Sequence, residues 1–253
     1  MKIRILPSSP DGGHLQHLVS FVVDGHLAID AGCIGLCGPP DAQARITTIV
    51  LTHSHLDHIC SLPIFAMNVV DSTERGLVVS APAAVIDSLR EDIFNWRVWP
   101  DFTRLKIDGR PIVQLTPIEP RRPTALGGLT VTAIPVNHPV PTVGYLVEDG
   151  RSAVLFALDT GPTEEIWEVA GRTPRLTTVF VDVAFPDEMS TLAEASGHLT
   201  PSLVRTQIGG LPGHVRKIAS HLKPAYYDRI VDQLGRLAIP NLSIGFPGQE
   251  YEG

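Results

Sequence analysis

Cysteine is scarce in this chain: three residues in 253, at positions 33, 37 and 60. An odd, small count excludes a disulfide framework, and a chain of this length can build its own core without covalent staples. A reducing compartment is the expected setting. No segment approaches the roughly 20 apolar residues of a membrane span, and the opening MKIRILPSSPDGG lacks the apolar stretch of a secretory signal. The expectation is therefore a soluble, cytoplasmic protein. Basic charge is also short: 20 Lys and Arg against 27 Asp and Glu leave a net charge of −7. A long nucleic acid needs a basic surface to displace its counterions, so it is excluded as the main partner, whereas a small phosphate ester held by a metal is not. Gly and Pro, 22 each, are too many for a long coiled coil or helical bundle and too few for a disordered chain.

What is present is apolar material, 43% of the residues, arranged in short β-prone runs. Residues 2–6, 18–23 and 26–30 read as strands, the last two joined at Asp24-Gly25 as a hairpin. The run 48–52 is another strand, and the stretch from 60 to 70 reads as a helix. Residues 76–82 read as a strand and 83–94 as a helix with apolar residues at helical period. NWRVWPDF at 95–102 reads as a packed loop. The second half repeats the theme, with strands at 129–138, 143–149, 152–159 and 177–185 and helices at 163–170, 200–208 and 224–237. Two β-rich halves, each with helices, and no Ser/Gly linker between them predict one domain over 1–253, built as two mixed sheets covered by helices.

The sharpest feature is THSHLDHI, where His53, His55, Asp57 and His58 follow a strand. Alternation along an extended segment points 53, 55 and 57 to one side, and His58 starts the following helix. Imidazole and carboxylate together suit zinc, manganese or iron. Three other features are read as structural or solvated. The CxxxC pair Cys33 and Cys37 has no second pair for a zinc knuckle, Cys60 packs in the core, and Arg121-Arg122 is a solvated charge pair. His14, His17, His26 and His214 are assigned to surface or hairpin roles.

The motif resembles the HxHxDH signature of the metallo-β-lactamase fold superfamily, and the remaining signatures occur in order: Asp30 in AIDAG, His138, Asp159 in ALDTG and His221 in ASHLKP. The resemblance implies a four-layer αβ/βα sandwich, a first metal on His53, His55 and His138, a second on Asp57, His58 and His221, and Asp159 bridging them. Asp30 would support the site without binding metal. Two divalent ions are thus implied, zinc first, with manganese or iron as alternatives. Leu56 stands where oxygen-reducing di-iron members carry glutamate, which lowers a redox alternative.

Three further stretches narrow the resemblance. EASGHLTP (194–201) is similar to the glycine-histidine motif of phosphodiesterases in this superfamily, which implies His198 as phosphate contact and proton donor. Asp57 and His198 are the implied catalytic pair. HPVPTVGY (138–145) and the Trp-Pro run at 94–102, with SSPDGG (8–13), are similar to class II 3′,5′-cyclic-nucleotide phosphodiesterases. They bring in Thr142 and Trp99 as candidate substrate contacts, the latter by stacking on a purine. The implied reaction is hydrolysis of cyclic AMP or cyclic GMP to the 5′-monophosphate by a metal-bridging hydroxide. The implied partners are a small phosphodiester, with no long nucleic acid and no membrane; the aromatic loop would serve a homodimer as readily as a pocket. Alternatives are a transfer-RNA 3′-processing nuclease, a β-lactamase or thiolesterase, and a non-catalytic binding domain of the same fold.

Overall fold

A computed structural model describes residues 1–8, 13–72 and 76–253; residues 9–12 of the SSPDGG stretch lie outside it. Alternation of apolar side chains along short strands builds the molecule. In Phe21–Val23, Phe21 and Val23 face one core and Val22 another; in Leu27–Ile29, Leu27 and Ile29 oppose Ala28 in the same way. A strand buried on both faces this way demands a layer on each side.

The layers are two seven-stranded sheets and their helices. The first sheet runs, edge to edge, Glu250–Glu252, Lys2–Ile5, Phe21–Val23, Leu27–Ile29, Thr48–Val50, Leu77–Ala81 and Val113–Pro117. Its first four strands pair antiparallel and the rest parallel. The second sheet runs Leu242–Ile244, Arg216–Ser220, Leu176–Asp182, Ala153–Ala157, Val143–Glu148, Leu129–Pro135 and Thr124–Leu126, parallel over its first four strands and antiparallel beyond. Both are mixed sheets flanked by helices, as expected.

Between the sheets, Phe21 from the first meets Phe156 and Phe180 from the second. Phe156 and Phe180 stack with ring centroids 5.0 Å apart, and Phe21 stands edge-on to both. Rings in such contacts add about 0.5–1.5 kcal/mol per pair beyond the area they bury. On the outer face of the first sheet, Leu62, Phe65 and Ala66 of the helix Leu62–Asn68 pack with Val85, Ile86 and Leu89. The second sheet is covered by Glu165–Arg172, Pro201–Ile208 and Tyr227–Leu237, through Ile166, Val204, Ile208, Ile230 and Leu234.

Local chemistry shifts several boundaries. The expected helix over 60–70 is found as Leu62–Asn68, and a separate turn of helix, Leu56–Ile59, precedes it. Pro63 enters the second helix in its first turn, where its missing N–H is no loss, and the chain turns at Cys60-Ser61 before it. The first of these helices begins at Leu56, so Asp57 sits in a helical turn beside His58, not on an extended segment with His53 and His55. Asp24 and Gly25 both take positive φ in the hairpin. No helix among the described residues is long and apolar enough to cross a membrane.

Candidate metal centre

The site lies where strands of both sheets end. His53 follows Thr48–Val50, Asp30 follows Leu27–Ile29, His138 follows Leu129–Pro135, Asp159 follows Ala153–Ala157, Asp182 closes Leu176–Asp182 and His221 follows Arg216–Ser220. Carboxyl ends of strands are where open α/β sheets hold ligands. Two bonds fasten the sheets together here: the buried Tyr145 hydroxyl donates to Leu51 O at 2.7 Å, and Val143 N–H donates to Thr52 O at 3.2 Å. Both contacts fall one or two residues before His53. Asp30 and His221 adopt left-handed backbone, φ 60° each, a conformation that costs a non-glycine residue on the order of 1–2 kcal/mol and concentrates at functional sites.

Each of three histidines has one ring nitrogen occupied on its outer side. Thr52 Oγ1 donates to Asp30 and lies 2.9 Å from His53 Nδ1, which leaves the His53 Nε2 free. His58 Nδ1 lies 2.7 Å from Asp30 Oδ2, and His138 Nδ1 lies 2.9 Å from Gly197 O. Gly197 is required there twice over: its φ is 66°, and a Cβ would stand 3.0 Å from His138 Nδ1 and 2.6 Å from Pro139 Cδ. Outer partners of this kind fix the tautomer and aim of metal-binding imidazoles.

Asp159 divides its two oxygens between two groups of histidines. Oδ2 lies 3.7 Å from His53 Nε2 and 3.9 Å from His138 Nε2, while Oδ1 lies 3.2 Å from His58 Nε2 and 3.1 Å from His221 Nδ1. His53, His55, His138 and Asp159 converge as one set of potential ligands, and Asp57, His58 and His221 as another. Buried polar atoms are almost always hydrogen-bonded, yet His53 Nε2 has no hydrogen-bond partner, and the close contacts of His58 Nε2 and Asp159 Oδ1 lack hydrogen-bond geometry. Orphaned nitrogen and oxygen donors aimed at common points fit divalent cations.

The electrostatics of the first set agree with that reading. Burial, with the neighbouring His58, pushes His53 well below its ordinary value, and burial likewise lowers His55 and His138; neutral imidazole is the metal-binding form. For His58, burial pushes down but the Asp159 and Asp30 carboxylates outweigh it and lift the group to about 10. Burial opposes charge on His221 too, and Asp159, Asp182 and Asp57 raise it well above its usual range. Burial favours the neutral acid at Asp57, but His221, His58 and Lys223 hold it ionised.

The structure also brings in residues that the motifs did not flag. Asp182 Oδ2 lies 2.9 Å from His198 Nδ1 and its Oδ1 lies 3.3 Å from His221 Nδ1. That contact turns His198 Nε2 inward, 3.9 Å from Asp159 Oδ2. Lys223 Nζ stands 3.3 Å from Asp57 Oδ2 and 3.1 Å from His221 Nε2. Thr142 and Trp99 are not brought into this group. The Thr142 hydroxyl donates to Val140 O at 2.8 Å, and Trp99 packs against the outer core of the first sheet, edge-on to Phe102. Of the aromatic loop, Trp96 is the exposed member.

Comparison with known proteins places these features in a family. A family described as beta-lactamase superfamily domain matches residues 35–222, about three quarters of the chain. A protein of Yersinia pestis named probable 3′,5′-cyclic-nucleotide phosphodiesterase is 25% identical over 208 residues, 73% of this chain and 59% of that protein. A ribonuclease Z of Metallosphaera sedula is 31% identical over 115 residues, 45% of this chain and 34% of that one. The chain thus spans less than two thirds of the length of either relative. Among solved structures, unliganded yeast PDE1 superposes with a TM-score of 0.79 at 19% identity over 98% of both chains, a likeness of fold. With a matching family over most of its length and two mixed sheets meeting at a histidine and aspartate cluster, the chain belongs to the beta-lactamase superfamily domain family, in its metallo-β-lactamase fold.

Proposed function

We propose that this chain is a one-domain, metal-dependent phosphodiesterase that opens 3′,5′-cyclic AMP, and cyclic GMP by the same geometry, to the 5′-monophosphate. His53, His55 and His138 would hold one divalent cation, Asp57, His58 and His221 a second, with Asp159 between them; zinc suits this donor set, as do manganese and iron. Such a pair supplies a water molecule of lowered pKa and positive charge against the oxygens of a phosphate.

The observation that carries the reading is the His198 ring. Asp182 occupies Nδ1, so Nε2 is the atom presented toward Asp159. A doubly protonated ring held this way donates Nε2–H to the 3′-oxygen as its bond to phosphorus breaks, and the ribose leaves as an alcohol instead of a costly alkoxide. Lys223 adds an ammonium at the same mouth, 31% exposed, suited to a phosphate oxygen. Thiolester hydrolysis, whose thiolate departs without a proton, has less use for a buried proton donor. The name of the Yersinia relative supports the cyclic-nucleotide substrate.

A nuclease acting at the 3′ end of transfer-RNA precursors is the second reading, favoured by the ribonuclease Z relative and opposed by the net charge of −7. A parallel assay of cyclic AMP, bis(p-nitrophenyl) phosphate, a precursor transfer RNA, a thiolester and a cephalosporin separates these. Cyclic AMP turnover is expected; specific RNA cleavage with steep salt dependence would move the assignment to the nuclease.

A further inference from the structure

The CxxxC pair, unused by the metal chemistry, begins three residues after Asp30. Cys33 and Cys37 bracket the one-turn helix Ile34–Leu36. Cys33 Sγ lies 3.9 Å from Leu6 O, and Cys37 Sγ lies 3.0 Å from the next carbonyl, Pro7 O. Their acceptors are consecutive carbonyls and the two residues close one helical turn, so both thiols lie against the same stretch of chain, where each shifts the other's pKa.

The two thiols differ in mobility and access. Cys33 is fully buried and its N–H donates to Ser20 Oγ at 3.0 Å. Gly32 before it is packed so closely that a Cβ would fall on the Asp57 carbonyl oxygen, which pins Cys33 to the metal-ligand segment. Cys37 is half-buried and lines a cavity of about 660 Å³ on the outer face of the first sheet, with Lys2, Arg4 and Arg45 against Asp24 and Glu250. The volume falls in the range of small-molecule sites, and its basic side chains outnumber its acidic ones.

We propose that Cys33 and Cys37 form a dithiol site, separate from the metal centre, at which a low-molecular-weight disulfide bearing carboxylates is reduced with closure of an internal Cys33–Cys37 disulfide. The Cys37 thiolate attacks one sulfur of the small disulfide, forming a mixed disulfide and releasing one small thiol. Cys33 then gives up its proton and attacks the Cys37 sulfur, expelling the second small thiol. The protein loses two electrons and two protons, and the small disulfide takes up both; excess thiol reverses the exchange. The order follows from the surroundings. The neighbouring Cys33 thiol and the Arg4 charge, against burial, pull the Cys37 thiol down, whereas Cys37 and burial push Cys33 up. The thiol facing the cavity is thus the nucleophile and the buried one the resolving partner. Cys60, whose thiol donates to Gly32 O at 3.1 Å and is raised by burial and by Asp57, is an internal control. This inference stands independently of the phosphodiesterase reading.

The test is peptide mass mapping of the full, metal-loaded chain after incubation with oxidised glutathione at graded ratios of reduced to oxidised form. The wild type is expected to lose two hydrogens as a Cys33–Cys37 disulfide, with Cys60 unmodified. Cys33→Ser should instead retain one glutathione on Cys37, Cys37→Ser should leave Cys33 free, and Arg4→Gln should slow adduct formation. The wild-type map is decisive even if a variant fails to fold. Glutathione found first on Cys60 or Cys33, or no Cys33–Cys37 disulfide in excess oxidised glutathione, overturns the proposal.

Discussion

His198 Nδ1 and Asp182 Oδ2 are 2.9 Å apart, both side chains buried, at the meeting of the Leu176–Asp182 strand and the loop after Ser190–Ser196. His198→Ala is expected to keep its metals and lose turnover of cyclic AMP by ~10²–10⁴-fold, the usual contribution of a positioned acid. Bis(p-nitrophenyl) phosphate, whose leaving group departs without a proton, should suffer far less in the same variant. Asp182→Asn should lower kcat for cyclic AMP by a smaller factor and alter its pH profile. Equal losses on both substrates would remove His198 from the proton-donor role.

Asp30 touches no orphaned ligand atom, yet it accepts from Thr52 N–H at 2.7 Å and contacts His58 Nδ1 at 2.7 Å. Asp30→Asn is expected to weaken metal binding by ~10–100-fold, the range for loss of a partner behind a ligand. Competition with a chromophoric chelator measures it; unchanged affinity would confine Asp30 to folding.

The metal-free protein should respond to pH through His58 and His221. His58 is raised from its ordinary 6.5 to about 10, and His221 is raised as well. A group with a raised folded-state pKa contributes stability that is full below the unfolded value and lost as pH climbs through the folded one. The melting temperature of the chelated protein is therefore expected to fall between about pH 6.5 and 10. Zinc-loaded protein, in which both rings would be ligands and not cations, should lack this decline, and a flat profile for the chelated protein would contradict the assigned contacts.

Lys223 lies within 3.3 Å of Asp57 and at 31% exposure can reach a bound anion. Lys223→Ala is expected to raise KM for cyclic AMP by roughly 10- to 150-fold, the ~1.5–3 kcal/mol of a hydrogen bond to a charged group, with kcat less affected. A variant changed in kcat alone would place Lys223 in the metal centre's organisation instead.

The metal cluster was legible because its residues fall into a dense, ordered motif at the end of an apolar strand. His138, Asp159 and His221, far along the chain, were legible only through the family resemblance, and the structure gathers them with His53, His55, Asp57 and His58. Asp182 was not legible: it sits inside the apolar run TTVFVDVAF, where a single carboxylate carries no spacing signal, and its role arises only when His198 and His221 arrive from elsewhere. Lys223, a single lysine two residues after His221, likewise carries no spacing signal. Several strands also escaped pattern reading. Val113–Pro117 is flanked by prolines, and Arg216–Ser220 opens with two cations, of which Lys217 is buried and donates to Pro240 O at 3.2 Å. Trp99 shows the opposite case, an aromatic whose sequence setting suits a base and whose side chain packs against a core.

The central claim is tested most directly by identifying the product formed from cyclic AMP by the metal-loaded chain. The account predicts 5′-AMP alone, since His198 protonates the departing 3′-oxygen, and no product after chelation. Release of 3′-AMP, or no turnover of cyclic AMP by protein carrying its full complement of metal, would contradict it.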